Sequence, residues 1–299
     1  MKTLADELLT GAIDMHCHCY PEFSLKAMKR MEDGEWTTLA ARMGMRGAVL
    51  KSHFWPTMTN VYYLQKQLPE GFRLFGSITL NVNCGGLAPY AVEAAASLGA
   101  KVVWMPTWSS ENDLQRRRVS KYLESFFPSL LHAHIEGLRV LDAEGRVIPE
   151  VKEIIEICKE MDLVLSTGHL SVAESAELVR HAKVMGLKKV IFGHPDSKSV
   201  QATVEEMKAV SSMGAYVELC YLGTLPLLQD KHPADMVRLI RAVGAERCIL
   251  TTDAFFDWVP PEPEMMRMCI ATLLELGITE QEMRMMVQRN PAVLLGLEG

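Results

Sequence analysis

Short apolar or β-branched runs alternate with longer amphipathic ones along the whole of this 299-residue chain. The short runs predict strands at "GAIDMHCH", "RGAVLKSH", "RLFGSITLN", "AKVVWMPTW", "DLVLSTGH", "KKVIFGH", "GAYVELCY" and "RCILTTDA". Helical periodicity lies between nearly all of them, around residues 24–43, 58–67, 88–98, 149–161, 172–185, 200–213 and 232–243, with a last helical region over about 263–287. Glycine often stands between a helix and the next strand, as in "LGAKVV" and "MGLKKV", where a helix C-cap requires it. Eight β/α units in series predict a parallel sheet, and eight is the number that closes a barrel, so the fold class is α/β, a (β/α)8 TIM barrel. An open doubly wound sheet is the competing fold, which periodicity alone does not exclude. Residues 109–148 break the rhythm between the fourth strand and its helix. Within them "LRVLDAEGRVIP" reads as a hairpin turning at "DAEG". An insertion at that place falls on the mouth face of a barrel, where it can cap a site. With no internal repeat, low-complexity segment or linker, residues 1–299 are read as one domain.

Composition narrows the class. Hydrophobic residues make up 48% of the chain, enough for a sizeable core, and the formal net charge is −6, which leaves no nucleic-acid footprint. The one dense basic run, "QRRRVSK" at 115–121, reads as a solvated face. No apolar run approaches the roughly 18 residues of a membrane span. The first residues carry no apolar core before a small-residue cleavage site, so no signal peptide is read. Seven cysteines without a CxxC pair suit a reducing cytoplasm better than a disulfide framework. The nineteen methionines fall largely in the helices and read as core or interface filler.

The chemistry gathers at the strand ends. In "AIDMHCHCYPE", strand alternation puts Asp14, His16 and His18 on one face and Cys17 and Cys19 on the other. If the histidines face a barrel mouth, they are the ligands and the cysteines are packing. His169 ends the fifth predicted strand, His194 the sixth and Asp253 the eighth. Imidazole nitrogen with carboxylate oxygen suits a divalent metal, zinc first, with manganese, iron or nickel as alternatives.

This order, HxH on the first strand, His on the fifth and sixth and Asp on the eighth, resembles the amidohydrolase superfamily. The ending "NPAVLLGL" at 290–297 is similar to the "N-x-A-x-x-L-G-L" ending common among its members. The resemblance runs from residue 11 to 297. It implies a (β/α)8 barrel with one or two divalent metals at its mouth, most often a hydrolase. It implies that His16, His18 and Asp253 hold the more buried metal. His169 and His194 would hold a second, or one of them would join the first while the other orients substrate. Asp253 would also shuttle the proton of the attacking water. The fourth strand, "KVVWMPTWSS", lacks the bridging lysine carbamate or glutamate of many two-metal members. The nearest substitute is Lys51, two residues before His53 on the same face of the second strand. Three readings of Lys51 stand side by side: a carbamate that bridges metals, a protonated point charge for a substrate carboxylate or carbonyl, or a lysine that snorkels to water.

Other candidates have a structural reading beside the functional one. His132 and His134 form a second HxH inside the insertion, where they belong to a capping strand or contact substrate or metal. Glu218 orients substrate or is a buried, hydrogen-bonded glutamate. Asn81 and Asn83 donate to substrate or cap a turn. Trp104, Trp108, Phe54 and Trp55 wall an apolar pocket or pack beneath the insertion.

The mechanism implied is attack of metal-activated water on a small carbonyl substrate, an amide, cyclic imide or lactone. The oxyanion rests against a cation, and Asp253 acts as base and then acid, with Lys51 or His194 as further catalytic groups. The alternatives are a single-metal decarboxylase or hydratase of an unsaturated acid, then phosphoester hydrolysis, and from another class a metal-binding scaffold or regulatory protein. Substrate binding is assigned to Lys51, His53, Asn81, Trp104 and Glu218. The partner expected is a small-molecule substrate, with no nucleic acid and no membrane, in the cytoplasm. Homo-oligomerisation is left open.

Overall fold

The computed structural model describes residues 2–25, 31–127, 129 and 135–297. A short helix, α1 (Leu4–Leu9), opens the chain. The first strands and helices follow as β1 (Ile13–His18), α2 (Asp33–Arg42), β2 (Gly47–Lys51), α3 (Met58–Gln65), β3 (Arg73–Thr79), α4 (Pro89–Ser97) and β4 (Ala100–Trp104). After β4 come α5 (Glu111–Arg116) and α6 (Val119–Leu123), then α7 (Pro149–Glu160), β5 (Val164–Ser166), α8 (Val172–Met185), β6 (Val190–Phe192), α9 (Val204–Ser212), β7 (Tyr216–Cys220), α10 (Pro233–Val243) and β8 (Cys248–Thr251). The chain ends in α11 (Glu262–Glu275), α12 (Glu280–Arg284), a π-helical turn (Met285–Arg289) and α13 (Asn290–Leu295). All eight predicted strands form, as one sheet in chain order β1 to β8, and the fold is the expected (β/α)8 TIM barrel.

Parallel strands buried on both faces read as nearly continuous apolar runs, and every residue of β1, β2, β5, β6 and β8 is buried. The helix boundaries have local causes. Ser171 and Glu174 form a capping box at the start of α8, and Thr203 with Glu206 does the same for α9. Gly186, at φ 84°, closes α8 in the left-handed region that glycine enters without steric cost. Of the helix expected over 24–43, residues 26–30 lie outside the described residues, and α2 starts at Asp33, where Glu32 and Glu35 form a capping box. The last helical region is three segments, because a capping box at Thr279 and Glu282 restarts the chain after α11. The DAEG hairpin is present: Leu141 pairs antiparallel with Val147, and Asp142 N–H donates to Arg146 O at 2.9 Å. Pattern reading did not predict α1, α5 and α6, which at five or six residues are too short for periodicity to show.

The chain packs as two compact units, one of Met1–Lys51, Thr57–Gly76 and Glu218–Gly299, the other of Ser52–Pro56 and Ser77–Val217. In the first, Leu8, Leu9, Ile13, Met15 and Trp36 are fully buried. Burial of each such side chain contributes about 1.5–3 kcal/mol. The NPAVLLGL ending belongs to this unit. Asn290 donates from Nδ2 to the carbonyls of Ala245 (2.9 Å) and Cys248 (2.7 Å), tying α13 to the entry of β8. In the second unit the core holds Trp104, Met105, Leu123 and Phe192. No described helix is long and apolar enough to cross a membrane.

Candidate active site

The first unit gathers five of the predicted residues. His16 and His18 leave β1, Lys51 ends β2, Glu218 lies on β7 and Asp253 follows β8. Nε2 of His16 lies 3.0 Å and Nε2 of His18 lies 3.1 Å from the same oxygen, Asp253 Oδ1. Each imidazole turns its other nitrogen to a carboxylate. His16 Nδ1 is 2.9 Å from Glu218 Oε1, and His18 Nδ1 is 3.1 Å from Glu22 Oε1. A carboxylate on Nδ1 fixes the ring and leaves Nε2 directed at Asp253, the arrangement that carboxylates behind metal-ligating histidines produce. Two imidazole nitrogens and one carboxylate oxygen, close and buried, are a donor set that fits a divalent cation of the zinc type.

The backbone that presents these groups is irregular. β1 carries a bulge between Asp14 and Cys17, which inserts a residue and re-aims the side chains around it. Asp14 therefore does not join the cluster as strict alternation predicts. Its carboxylate accepts from Thr252 Oγ1 (2.5 Å), Thr252 N–H (3.2 Å) and His16 N–H (3.1 Å). Asp253 has φ 56°, a left-handed conformation uncommon for a residue with a Cβ. Its N–H donates to His16 O at 3.0 Å, which holds the carboxylate over β1. Strained backbone of this kind concentrates at functional sites.

Electrostatics separate the roles. Burial opposes the charge on His16, yet Asp253 and Glu218 outweigh it and raise its pKa to about 9. For His18 burial prevails and the pKa falls to about 4, so this ring is neutral at pH 7, whereas a cation ligated by His16 would have to displace that ring's proton. Burial would raise the Asp253 carboxyl, but the two histidines hold it well below the usual carboxylate range. Asp253 is also the open member of the cluster, its side chain 17% exposed where His16 is fully buried. Lys51 Nζ lies 2.9 Å from His16 Nε2, and burial lowers its pKa against the pull of Asp253 and Glu218. At 1% exposure Lys51 does not snorkel, which removes that reading. Glu218 is fully buried, with its Oε1 serving His16 Nδ1 and accepting from Thr251 Oγ1 (3.2 Å).

The second unit carries its own group. His169 Nδ1 is 2.7 Å from Oδ2 of the fully buried Asp113, on α5. Ser110 Oγ (3.0 Å) and Asn112 Nδ2 (2.9 Å) donate to the His169 carbonyl. The ring of His194 meets that of His169 edge-on at 4.9 Å between centroids, and His194 is itself left-handed at φ 23°. Gly168 precedes His169 at φ 57°, where a Cβ would come 2.2 Å from Met105 O, so only glycine lets the chain turn there. Asn81 is tied into the surrounding backbone. Its Nδ2 donates to His53 O (3.1 Å) and Thr107 Oγ1 (2.8 Å), and its Oδ1 accepts from Thr107 N–H (2.9 Å) and Ser109 Oγ (3.0 Å), leaving nothing for a ligand. Asn83 likewise donates to Phe54 O at 2.9 Å. His53 and Trp104 are both buried. Phe54, Trp108 and Phe127 pack together, with ring centroids 6.2 and 5.1 Å from Phe54. His132 and His134 lie outside the described residues.

Sequence reasoning missed Glu22 and Asp113. Glu22 carried a weak signal, a carboxylate four residues after His18. Asp113 carried none, since 56 residues separate it from His169.

The barrel fold is one this chain shares with solved enzymes of the amidohydrolase superfamily, the superfamily its motif order resembles. The chain belongs to a family of unknown function, DUF6282, whose pattern matches residues 11–218. A dihydroorotase from Chlorobaculum tepidum is 27% identical over 339 aligned positions, covering 97% of this chain and 74% of that protein. The probable dipeptidase PvdM from Pseudomonas aeruginosa superposes with TM-score 0.64 at 11% identity, over 98% of this chain and 96% of the other. An amidohydrolase from the same organism gives TM-score 0.61 at 12% identity, over 97% and 98%.

Proposed function

We propose that this protein is a metal-dependent hydrolase that cleaves a C–N or C–O bond of a small carbonyl substrate, a cyclic imide, amide or lactone. The observation that carries the reading is the convergence of His16 Nε2 and His18 Nε2 on Asp253 Oδ1, each ring held from behind by a buried carboxylate. His16, His18 and Asp253 would hold the cation. His169 and His194 are carried as a second ligand pair on the motif order.

A divalent cation bound there supplies a Lewis acid and makes water a competent nucleophile near neutral pH. The chain's own groups do the rest. Asp253, ionised and partly open to solvent, takes the proton of the attacking water and returns it to the leaving nitrogen or oxygen. Glu218 and Glu22 keep both rings in register while charge moves in front of them. Lys51, fixed beside His16, places a cationic group where an oxyanion develops or, as a carbamate, a further ligand.

A second reading, a single-metal decarboxylase or hydratase, is favoured by the end of β4, where Trp104, Met105 and Pro106 stand in place of a bridging group. The two are separated by counting metals per chain and assaying hydrolysis of cyclic imides, lactones and amides beside carbon dioxide release from aromatic acids. Hydrolysis of none of the carbonyl substrates by metal-loaded protein would refute the first reading.

A further inference from the structure

The first unit holds a cavity of about 730 Å³ against the residues that precede β2 and against the segment from α12 to α13. The proposed active-site residues stand at the C-terminal ends of β1 and β2, whereas Arg46, which lines this cavity, stands just before the N-terminal end of β2. The two sites therefore lie at opposite ends of the same strands, and nothing in the proposed reaction uses the second one.

Its lining is built for an anion. Among the described residues, Arg46, Arg284 and Arg289 face it against a single carboxylate, Glu280, on a chain whose formal net charge is −6. Arg46 is positioned by donating from Nη2 to Leu297 O at 2.8 Å, and Arg284 pairs with Glu280 at 2.8 Å. Arg289 is exposed, and its guanidinium has no acceptor among the described residues. Met285 and Leu297 add an apolar wall. The backbone supplies a second observation. Met285–Arg289 is a π-helical turn whose first and last residues both line the cavity, and such turns are rare and occur mostly at functional sites. The volume lies in the range of small-molecule pockets.

We propose that this cavity binds a small organic anion, a phosphate ester or a dicarboxylate, whose charged head is held by Arg284 and Arg289 and whose body lies on the Met285–Leu297 wall. Guanidinium forks recognise both kinds of head group in bidentate fashion. The site is independent of the chemistry at His16 and His18.

The test is calorimetric titration of the metal-loaded protein with AMP, with glutarate and with uncharged adenosine, repeated on the Arg284→Gln/Arg289→Gln double variant. At least one of the two anions should bind at one per chain, more weakly at 300 than at 50 mM salt, and adenosine should not bind. The double variant should weaken that binding at least tenfold while metal content and circular dichroism stay unchanged. AMP alone, or glutarate alone, names the head group. The proposal is overturned if neither anion binds at millimolar concentration. It is equally overturned if the double variant binds as wild type does, since the anion then sits elsewhere.

Discussion

Asp113 sets its Oδ2 2.7 Å from Nδ1 of His169, across 56 residues of sequence. The carboxylate belongs to the insertion after β4, and the histidine follows β5. The insertion is therefore a positioning element: Ser110 and Asn112 hold the backbone of His169 while Asp113 holds its ring. Asp113 also accepts from Ser120 N–H at 2.8 Å, which anchors the start of α6.

Asp113→Asn keeps the size and an oxygen for Ser120 but removes the charge that fixes the His169 tautomer. Loss of such a partner costs about 10–100-fold in metal affinity or activity. Metal titration and turnover should both fall in that range with the melting temperature little changed. Asp113→Ala should in addition destabilise the fold by about 1–3 kcal/mol, because Ser120 N–H loses its acceptor in a buried place. An Asp113→Asn protein with wild-type metal binding and turnover would remove the positioning role.

His16→Ala with His18→Ala should abolish metal binding and activity while far-UV circular dichroism stays near native. Both side chains are buried, so the melting temperature of each single variant belongs beside the metal analysis. Full metal retention in the double variant would sink the assignment.

Asp253→Asn preserves shape and one ligand oxygen but removes the base. Positioned proton transfer is worth about 10²–10⁴ in rate. Turnover should drop by at least that lower bound with most of the metal retained. A variant that keeps both its metal and near-wild-type turnover would refute the proton-shuttle role.

Cys17 and Cys19 are buried and lie outside the group of His16, His18 and Asp253. Cys17→Ser with Cys19→Ser should keep stoichiometric metal, at some cost in packing. Loss of metal from a still-folded variant would overturn the placement of β1.

Six of the seven cysteines are buried, and Cys84 alone is partly exposed. Burial pushes the Cys158 thiol up to about 12 and raises Cys220 and Cys269 as well. The thiolate is the reactive form, so at pH 8 these groups stay protonated as well as covered. Ellman's reagent should modify one thiol in the native protein and seven after denaturation, and Cys84→Ser should abolish the native reaction. Rapid modification of a second thiol in the folded protein would contradict the buried placements.

The sequence by itself determined the eight strands and the chemistry at their ends. Apolar runs separated by amphipathic helices leave a parallel sheet few alternatives, and HxH followed by His, His and Asp in that order survives without any knowledge of contacts. The tertiary structure decided which side chains answer one another. Alternation predicted Asp14 beside His16 and His18, but a bulge is a local insertion in register that no period reveals, and it sends Asp14 to Thr252. Glu218 and Asn81 looked equally suited to substrate or to structure, and only the fold shows the hydrogen bonds each makes, Glu218 to His16 and Thr251 and Asn81 to Thr107 and Ser109. Glu22, Glu218 and Asp113, the three carboxylates behind the histidines, are set by packing between elements 4, 202 and 56 residues apart in sequence. The physical reason is range. Strand and helix patterns follow from a residue and its near neighbours, whereas the protonation and aim of a histidine follow from whatever charge the fold brings to its other nitrogen.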